Sequence, residues 1–369
     1  MPDLQHTTST FTGLGTSAAR FAARLGGGVE SGTPVPANGH DPAYAHRPWG
    51  DGTAPPLYCP LPERIDDALA TEVDRRLALW ARECGFSAEE ADQLGRAEFG
   101  RLVVLAHPDC DDVDRLLISA RLNAAWWAAD DLYSDDTALG AVPTELPQRL
   151  ALAMAAMDPL PAAGAFSGQL DEALADDRVL VALRSGVDHL ARYGTPAQVQ
   201  RVCYSTFTMF VSWTAYAAWK HNDKQPPAWE YLAARQHDSF YTSMTLVDVL
   251  GGYELDSNLF YEPEVRRAAI LAGTASVLVN DLFSVTKDLA DENPPGNMVL
   301  QVAAERECSV EEAVEVVVEL HNGLVRDFQS AYATTRFLPS PQLRRFMRGL
   351  RAWMGGGFEW HSTSPRYRT

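Results

Sequence analysis

Residues 275–288 constrain this chain more than any other stretch. The apolar run Ala275-Ser276-Val277-Leu278-Val279 leads directly into Asn280-Asp281-Leu282-Phe283-Ser284-Val285-Thr286-Lys287-Asp288. Asn280, Ser284 and Asp288 recur at i, i+4 and i+8, so on a helix they stack along one face. A strand would also bring the three together, but the flanking apolar residues would then lose their alternation. The segment is therefore read as a helix with a column of polar oxygens on an otherwise greasy surface. An amide oxygen, a hydroxyl and a carboxylate form an all-oxygen edge that suits a hard divalent cation such as Mg2+. Lys287, one residue before the last of them, is placed to hold an anion beside the metal.

One carboxylate and two neutral oxygens bind Mg2+ weakly, so the column requires a partner. The stretch Trp126-Trp127-Ala128-Ala129-Asp130-Asp131-Leu132-Tyr133-Ser134-Asp135-Asp136 supplies one. Asp131 and Asp135 are one helical turn apart with Asp130 beside them, and carboxylates packed this closely repel one another unless a cation neutralises them. Val113, Leu116, Leu117, Ala120, Ala124 and Trp127 share the apolar face of the preceding helix. Asp131 continues that line, so the carboxylates emerge from the buried side, where solvated charge does not belong. The acidic stretch 107–114 is read differently. Pro108 breaks a helix there, and acids ahead of Leu116-Leu117 are what a helix N-terminus favours.

Residues 1–56 are rich in Pro and Gly without apolar periodicity and are expected to be poorly ordered. An all-α domain is expected over 57–369, with no sheet, because no segment alternates with period two. Asp66 caps its first helix, Ser87-Ala88-Glu89-Glu90 opens a second that runs through Phe99 to about Ala106, and Ser309-Val310-Glu311-Glu312 opens a late one. A helix from Trp229 to about Val249 ends at Gly251-Gly252. The last helix is expected from Pro341 to about Met354, with Gly355-Gly356-Gly357 as the connection that follows. A formal net charge of −18 argues against nucleic acid or an anionic membrane as a partner. Five scattered cysteines give neither a zinc site nor a disulfide framework and point to a reducing cytoplasm. No signal peptide and no uninterrupted apolar stretch of spanning length is visible, so no integral membrane association is expected.

Asp130-Asp131-x-x-x-Asp135, together with Asn280-Asp281-x-x-Ser284-x-x-Lys287-Asp288, resembles the paired metal motifs of bacterial class I terpene synthases. Arg366-Tyr367, near the C-terminus, resembles the arginine–tyrosine pair of that family. The resemblance implies a class I terpenoid synthase bundle of antiparallel helices around an apolar cavity, with a cluster of three Mg2+ ions at its mouth. It also implies that Arg235, 45 residues before Asn280, senses diphosphate on a helix that breaks nearby, with Asp238 and Ser239 in the break. Arg235, Lys287, Arg366 and Tyr367 would neutralise the charge of a departing diphosphate. Phe99, Trp127, Trp213, Tyr216 and Trp353 are the aromatic residues expected to line a dry cavity and stabilise a carbocation through their π faces. Phe11–Phe21, Leu57-Tyr58-Cys59-Pro60 and Gly252-Tyr253-Glu254-Leu255 narrow the resemblance to the 2-methylisoborneol synthase type, which cyclises 2-methylgeranyl diphosphate. Those enzymes carry His-Tyr-Cys between the aspartates, where this chain has Leu132-Tyr133-Ser134. The implied partner is thus a small isoprenoid diphosphate, and the resemblance allows a homodimer. Cyclisation of geranyl or farnesyl diphosphate, prenyl chain elongation and an inactive helical scaffold are the alternatives.

Overall fold

Helical periodicity governs the chain from Asp67 onward in the computed structural model, which describes residues 41–135, 141–290, 296–335 and 338–367. In chain order the first helices are α1 (Asp67–Glu83), α2 (Ala88–Arg96), α3 (Phe99–Ala106) and α4 (Val113–Ala129), the last running into a π-helical turn, Asp130–Asp135. Next come α5 (Leu146–Met157), α6 (Ser167–Ala175), α7 (Arg178–Ala191), α8 (Pro196–His221) and α9 (Ala228–Arg235). Three single-turn helices follow, α10 (Tyr241–Met244), α11 (Val247–Leu250) and α12 (Ser257–Phe260). The long helices α13 (Pro263–Leu289), α15 (Val310–Thr335) and α16 (Pro341–Thr363), with the shorter α14 (Met298–Arg306) between the first two, complete the bundle.

Local capping chemistry sets many of the helix starts. The Asp66 carboxylate accepts from the Leu69 amide at 2.9 Å, and Ser87 with Glu90 closes a reciprocal capping box. Asp112 accepts from the Asp114 amide at 2.9 Å and so starts α4, which is the capping role read for the 107–114 stretch. Ser309 and Glu312 cap α15 in the same reciprocal way.

Helix α13 packs against α15, α16, α10 and α14, while α4 lies on α1, α3 and α7. By length and mean hydropathy (1.6) α13 is apolar enough to cross a membrane, yet 78% of that window is buried among its neighbours. Its apolarity is that of a core helix. The column-bearing helix is therefore held from several sides, which suits an element that must present side chains with a fixed geometry.

Four expectations are corrected. Residues 41–60 form an antiparallel hairpin, β1 (Tyr44–Arg47) with β2 (Leu57–Pro60), in which Tyr44 pairs with Pro60. Its strands are only four residues long and joined by a long Pro/Gly loop, too short for alternation to register. The hairpin is pinned by Asn322 of α15, whose side-chain oxygen accepts from the Tyr58 amide at 2.7 Å. The second helix breaks into α2 and α3 at Glu98, which takes a left-handed φ of 55°. The Ala97 carbonyl turns toward the Trp360 indole N–H at 3.1 Å, and the Glu98 carbonyl accepts from the same N–H at 3.2 Å while also starting α3 through the Leu102 amide at 3.0 Å. The third correction lies at Gly355-Gly356-Gly357, which is helical inside α16. A Cβ on Gly356 would stand 2.6 Å from the Leu105 carbonyl and one on Gly355 2.8 Å from that of Leu61, so the glycines allow close backbone approach. Finally, the helix from Trp229 stops at Arg235, and its continuation is two short turns.

Four histidines are buried among the described residues, His107, His189, His321 and His361, and two of them carry large pKa shifts. Burial pushes His107, which meets the Trp353 ring edge-on at 5.9 Å, down to about 3, and His321 down to about 4. Both are depressed below their unfolded value, so the stability of the neutral rings is fully present above about pH 6.5 and is lost as pH falls toward the folded values. Urea midpoints should therefore be flat just above neutrality and decline between about pH 6.5 and 4. His107→Gln should make that decline shallower; an unchanged slope would dismiss His107 as a contributor.

Candidate active site

Asn280, Ser284 and Asp288 lie on one face of α13, and the last two are already in contact: Ser284 Oγ donates to Asp288 Oδ2 at 2.6 Å. Asn297, at the start of α14, reaches back to this pair. Its Nδ2 is 2.8 Å from Asp288 Oδ2, 2.8 Å from the Asp281 carbonyl and 3.3 Å from Ser284 Oγ, while its Oδ1 caps α14. Asp288 is consequently buried although it ends the helix.

Arg235 closes the side of the column. Its guanidinium donates to Asp281 Oδ1 at 2.6 Å, to Asp238 Oδ2 at 2.7 Å and to Asn280 Oδ1 at 3.3 Å. Burial alone would pull the guanidinium down. The charges of Asp281 and Asp238, with Tyr231 nearby, more than offset it and hold Arg235 well above its ordinary range. Asp281 is only 1% exposed and also accepts from the Met298 amide at 3.0 Å. Asp238 accepts from the Trp213 indole at 3.0 Å, and Ser239 Oγ donates to the Gln236 carbonyl at 2.9 Å, so the break after α9 is tied by its own side chains. The break sits against Gly273 of α13, where a Cβ would lie 2.8 Å from Tyr241.

The C-terminal end of the bundle supplies the opposite wall. Asn280 Nδ2 donates to the Tyr367 hydroxyl at 2.8 Å and faces His361 Nε2 at 3.3 Å. From Tyr367 a path of ring contacts leads to Trp360 (5.5 Å between centroids), Trp127 (5.8 Å) and Phe99 (5.2 Å). Trp127 stands three residues before Asp130. The acidic stretch and the α13 column are thus joined by two ring contacts and one hydrogen bond.

Asp130 and Asp131 are half-buried in the π-helical turn, an arrangement with a wider repeat than the α turn expected for it. The turn is anchored by Tyr133, whose hydroxyl donates to Asp177 Oδ2 at 2.6 Å, while Asp177 Oδ1 caps α7. The side chains of Asp135 and Arg366 lie outside the described residues. Among those described, no three His, Cys, Asp or Glu side chains converge on a point. A cation here would rely on the mixed oxygens of α13.

The remaining predicted residues are placed as follows. Lys287 is exposed on the last turn of α13. Tyr216 stacks on Tyr231 at 5.9 Å behind Arg235, and its buried hydroxyl has no hydrogen-bond partner among the described residues. Phe99 and Trp353 have no accessible surface and pack behind Trp127 and Phe240 respectively. A groove of about 1170 Å3 lies between the 48–55 loop and α15; it meets α13 at Leu282, Phe283, Val285 and Thr286 and reaches His361 and Tyr367, the two groups that face Asn280. Sequence reasoning had Asp281 in the motif without a role of its own, and passed over Asn297, Trp360 and His361 as site residues. Asn297 had a usable signal as an N-cap; Trp360 and His361 were hidden by the glycine run taken as a helix end.

Tyr133→Phe should lower stability by about 1.5–3 kcal/mol, the usual worth of a hydrogen bond to a charged group. Urea unfolding measures it, and a loss under half of that would mean the tie to Asp177 is not holding the turn.

Residues 121–327 match the family described as terpene synthase family 2, C-terminal metal binding. The chain is 35% identical over 357 residues to the 2-methylisoborneol synthase of Streptomyces ambofaciens, covering 96% of this chain and 78% of that one. It is 37% identical over 360 residues to that of Streptomyces griseus, with the same coverage. The crystal structure of 2-methylisoborneol synthase from Streptomyces coelicolor A3(2) in complex with Mg2+ and 2-fluoroneryl diphosphate superposes with a TM-score of 0.79 at 32% identity, covering 89% of this chain and 98% of that one. With a helical bundle, a polar column on its buried central helix and relatives of this identity over nearly their whole shared length, the chain belongs to the class I terpene synthase family.

Proposed function

We propose that this enzyme ionises and cyclises 2-methylgeranyl diphosphate, a C11 allylic substrate, to 2-methylisoborneol or a related bicyclic product, with release of diphosphate. The observation that carries the reading is the column itself: Asn280, Ser284 and Asp288 share one helix face, pressed between Arg235 on one side and Tyr367 on the other. The donors are all oxygen, as Mg2+ prefers. Asn280 Oδ1, Ser284 Oγ and Asp288 would hold the metal on α13, with Asp130, Asp131 and Asp135 opposite, as a cluster of three ions. Bound there, Mg2+ would supply neutralisation of the charge that develops on the leaving diphosphate.

The chain's own groups do the rest. Arg235, Lys287, Arg366 and Tyr367 are donors for the diphosphate oxygens, and Arg235 keeps a buried Nε–H without a partner. As the allylic C–O bond breaks, its electron pair leaves with diphosphate. Once the allylic unit has turned to bring the chain end within reach, the distal double bond attacks the cation to close the first ring, and the double bond left in that ring attacks the new cation to close the second. Water then adds to the cyclised cation and loses a proton. Trp127 and Tyr216, which are only half-buried, present π faces to such a cation, and Phe99 and Trp353 hold the aromatic wall from behind. No protein nucleophile is required. The relatives are named for the C11-derived product, and solved relatives hold geranyl-S-thiolodiphosphate and 2-fluorogeranyl diphosphate, which supports an acyclic substrate of this length. All five cysteines are free, as a cytoplasmic setting would have them.

Purified protein incubated with Mg2+ and the C10, C11 and C15 diphosphates should give a bicyclic alcohol from the C11 substrate, identified by mass spectrometry of the volatiles. A C10 or C15 product in its place would move the assignment to another cyclase, and no diphosphate release from any of the three would end it. Asp288→Ala should lower kcat/KM by at least about a hundredfold with helical circular dichroism unchanged; near-parental turnover would remove Asp288 from the site. Trp127→Ala should change the product ratio more than the rate of diphosphate release, and an unaltered ratio would count against its place in the cavity wall.

A further inference from the structure

We infer that His361 sets the amide orientation of Asn280, so that the oxygen rather than the nitrogen of that side chain is offered to a metal ion. The inference rests on the proposed role of Asn280 as a ligand and adds a positioning residue behind it. The two ends of an asparagine amide have nearly the same shape, so packing alone cannot choose between them; hydrogen-bond polarity must.

Asn280 meets three polar side chains among the described residues. Arg235 lies 3.3 Å from Oδ1, Tyr367 OH lies 2.8 Å from Nδ2, and His361 Nε2 lies 3.3 Å from Nδ2. A guanidinium only donates, so the atom facing Arg235 must be the oxygen. At the other end, His361 Nδ1 is 2.6 Å from the Gly357 carbonyl, which only accepts. The proton of the neutral imidazole therefore sits on Nδ1, and Nε2 offers a lone pair to the Asn280 amide. The Tyr367 hydroxyl can donate or accept, and so follows the amide without dictating it.

Both fixed polarities select the same rotamer, but they differ in permanence. Arg235 is held by Asp281 and Asp238 and is proposed to donate to diphosphate as well, so its longer contact to Asn280, at 3.3 Å, competes with stronger acceptors. His361 is held in place instead. It is 1% exposed, and its ring is enclosed by Trp360 and Tyr367 at 4.8 Å, Phe283 at 5.7 Å and Phe240 at 5.9 Å. With the donors of Arg235 committed to its carboxylates and to diphosphate, His361 is the neighbour that still distinguishes the two amide orientations. A flipped amide would present an N–H where a ligand oxygen is needed.

A double-mutant cycle tests this without reading turnover. Mg2+ is titrated in the presence of inorganic pyrophosphate, and its apparent affinity is read from calorimetry and from the rise in melting temperature, for the parent chain, H361F, N280D and N280D/H361F. In the parent background H361F should weaken Mg2+ by about tenfold or more, the usual cost of losing a group that orients a ligand. In the N280D background the same change should cost less than twofold, because either carboxylate oxygen can ligate. Equal penalties in the two backgrounds, or none in the parent, would overturn the inference. If H361F fails to fold by circular dichroism, H361L, which likewise has no acceptor, enters the same cycle under the same criteria. A parent chain that shows no Mg2+ response would instead sink the metal-site reading, and the orientation argument with it.

Discussion

The Arg235–Asp281 ion pair is the contact on which the arrangement of this molecule depends. At 2.6 Å and almost fully buried, it joins the end of α9 to the middle of α13. Removing one member of such a pair leaves an uncompensated buried charge, a cost of about 3–5 kcal/mol. The pair is viable because its other valences are met: Asp281 accepts from the Met298 amide, and Arg235 also serves Asp238 and Asn280. One electrostatic knot thus holds the broken helix, the start of α14 and the polar column in register. Asp281 takes up the charge of the arginine, while Asn280, the next residue along, is left to face the site.

Aromatic packing does for the acidic turn what this ion pair does for the column. The glycines of α16 bring its backbone against Leu61 and Leu105, which places Trp360 where its ring meets both Trp127 and Tyr367. The indole N–H is held by two carbonyls that Glu98 exposes by adopting a left-handed conformation. A left-handed residue other than glycine costs roughly 1 kcal/mol or more, and here the strain buys a fixed Trp360. Rigid aromatic surroundings of this kind suit a reactive cation, because they keep solvent away until the rings have closed.

Much of this was legible in the residues themselves. The capping residues Asp66, Ser87, Asp112 and Ser309 announced their helices because a cap is satisfied within three residues of itself. The glycine run misled for the complementary reason. Gly355, Gly356 and Gly357 look locally like a helix end, and only the neighbouring backbones of α3 and β2 show why small residues are wanted in mid-helix. The hairpin was missed because its strand edge is satisfied by Asn322, more than 260 residues away in sequence.

The sequence by itself determined that Asn280, Ser284 and Asp288 share a face, since i, i+4 and i+8 on one helix is a matter of local geometry. It likewise determined that carboxylates follow the apolar side of α4. Only the tertiary structure decided which groups meet that face and with what polarity. Arg235 and Tyr367 reach Asn280 from 45 and 87 residues away. His361 meets the same amide nitrogen as Tyr367, from within an aromatic box. Periodicity carries no information about such encounters, because a hydrogen bond's direction is set by the two groups that meet and not by either segment alone.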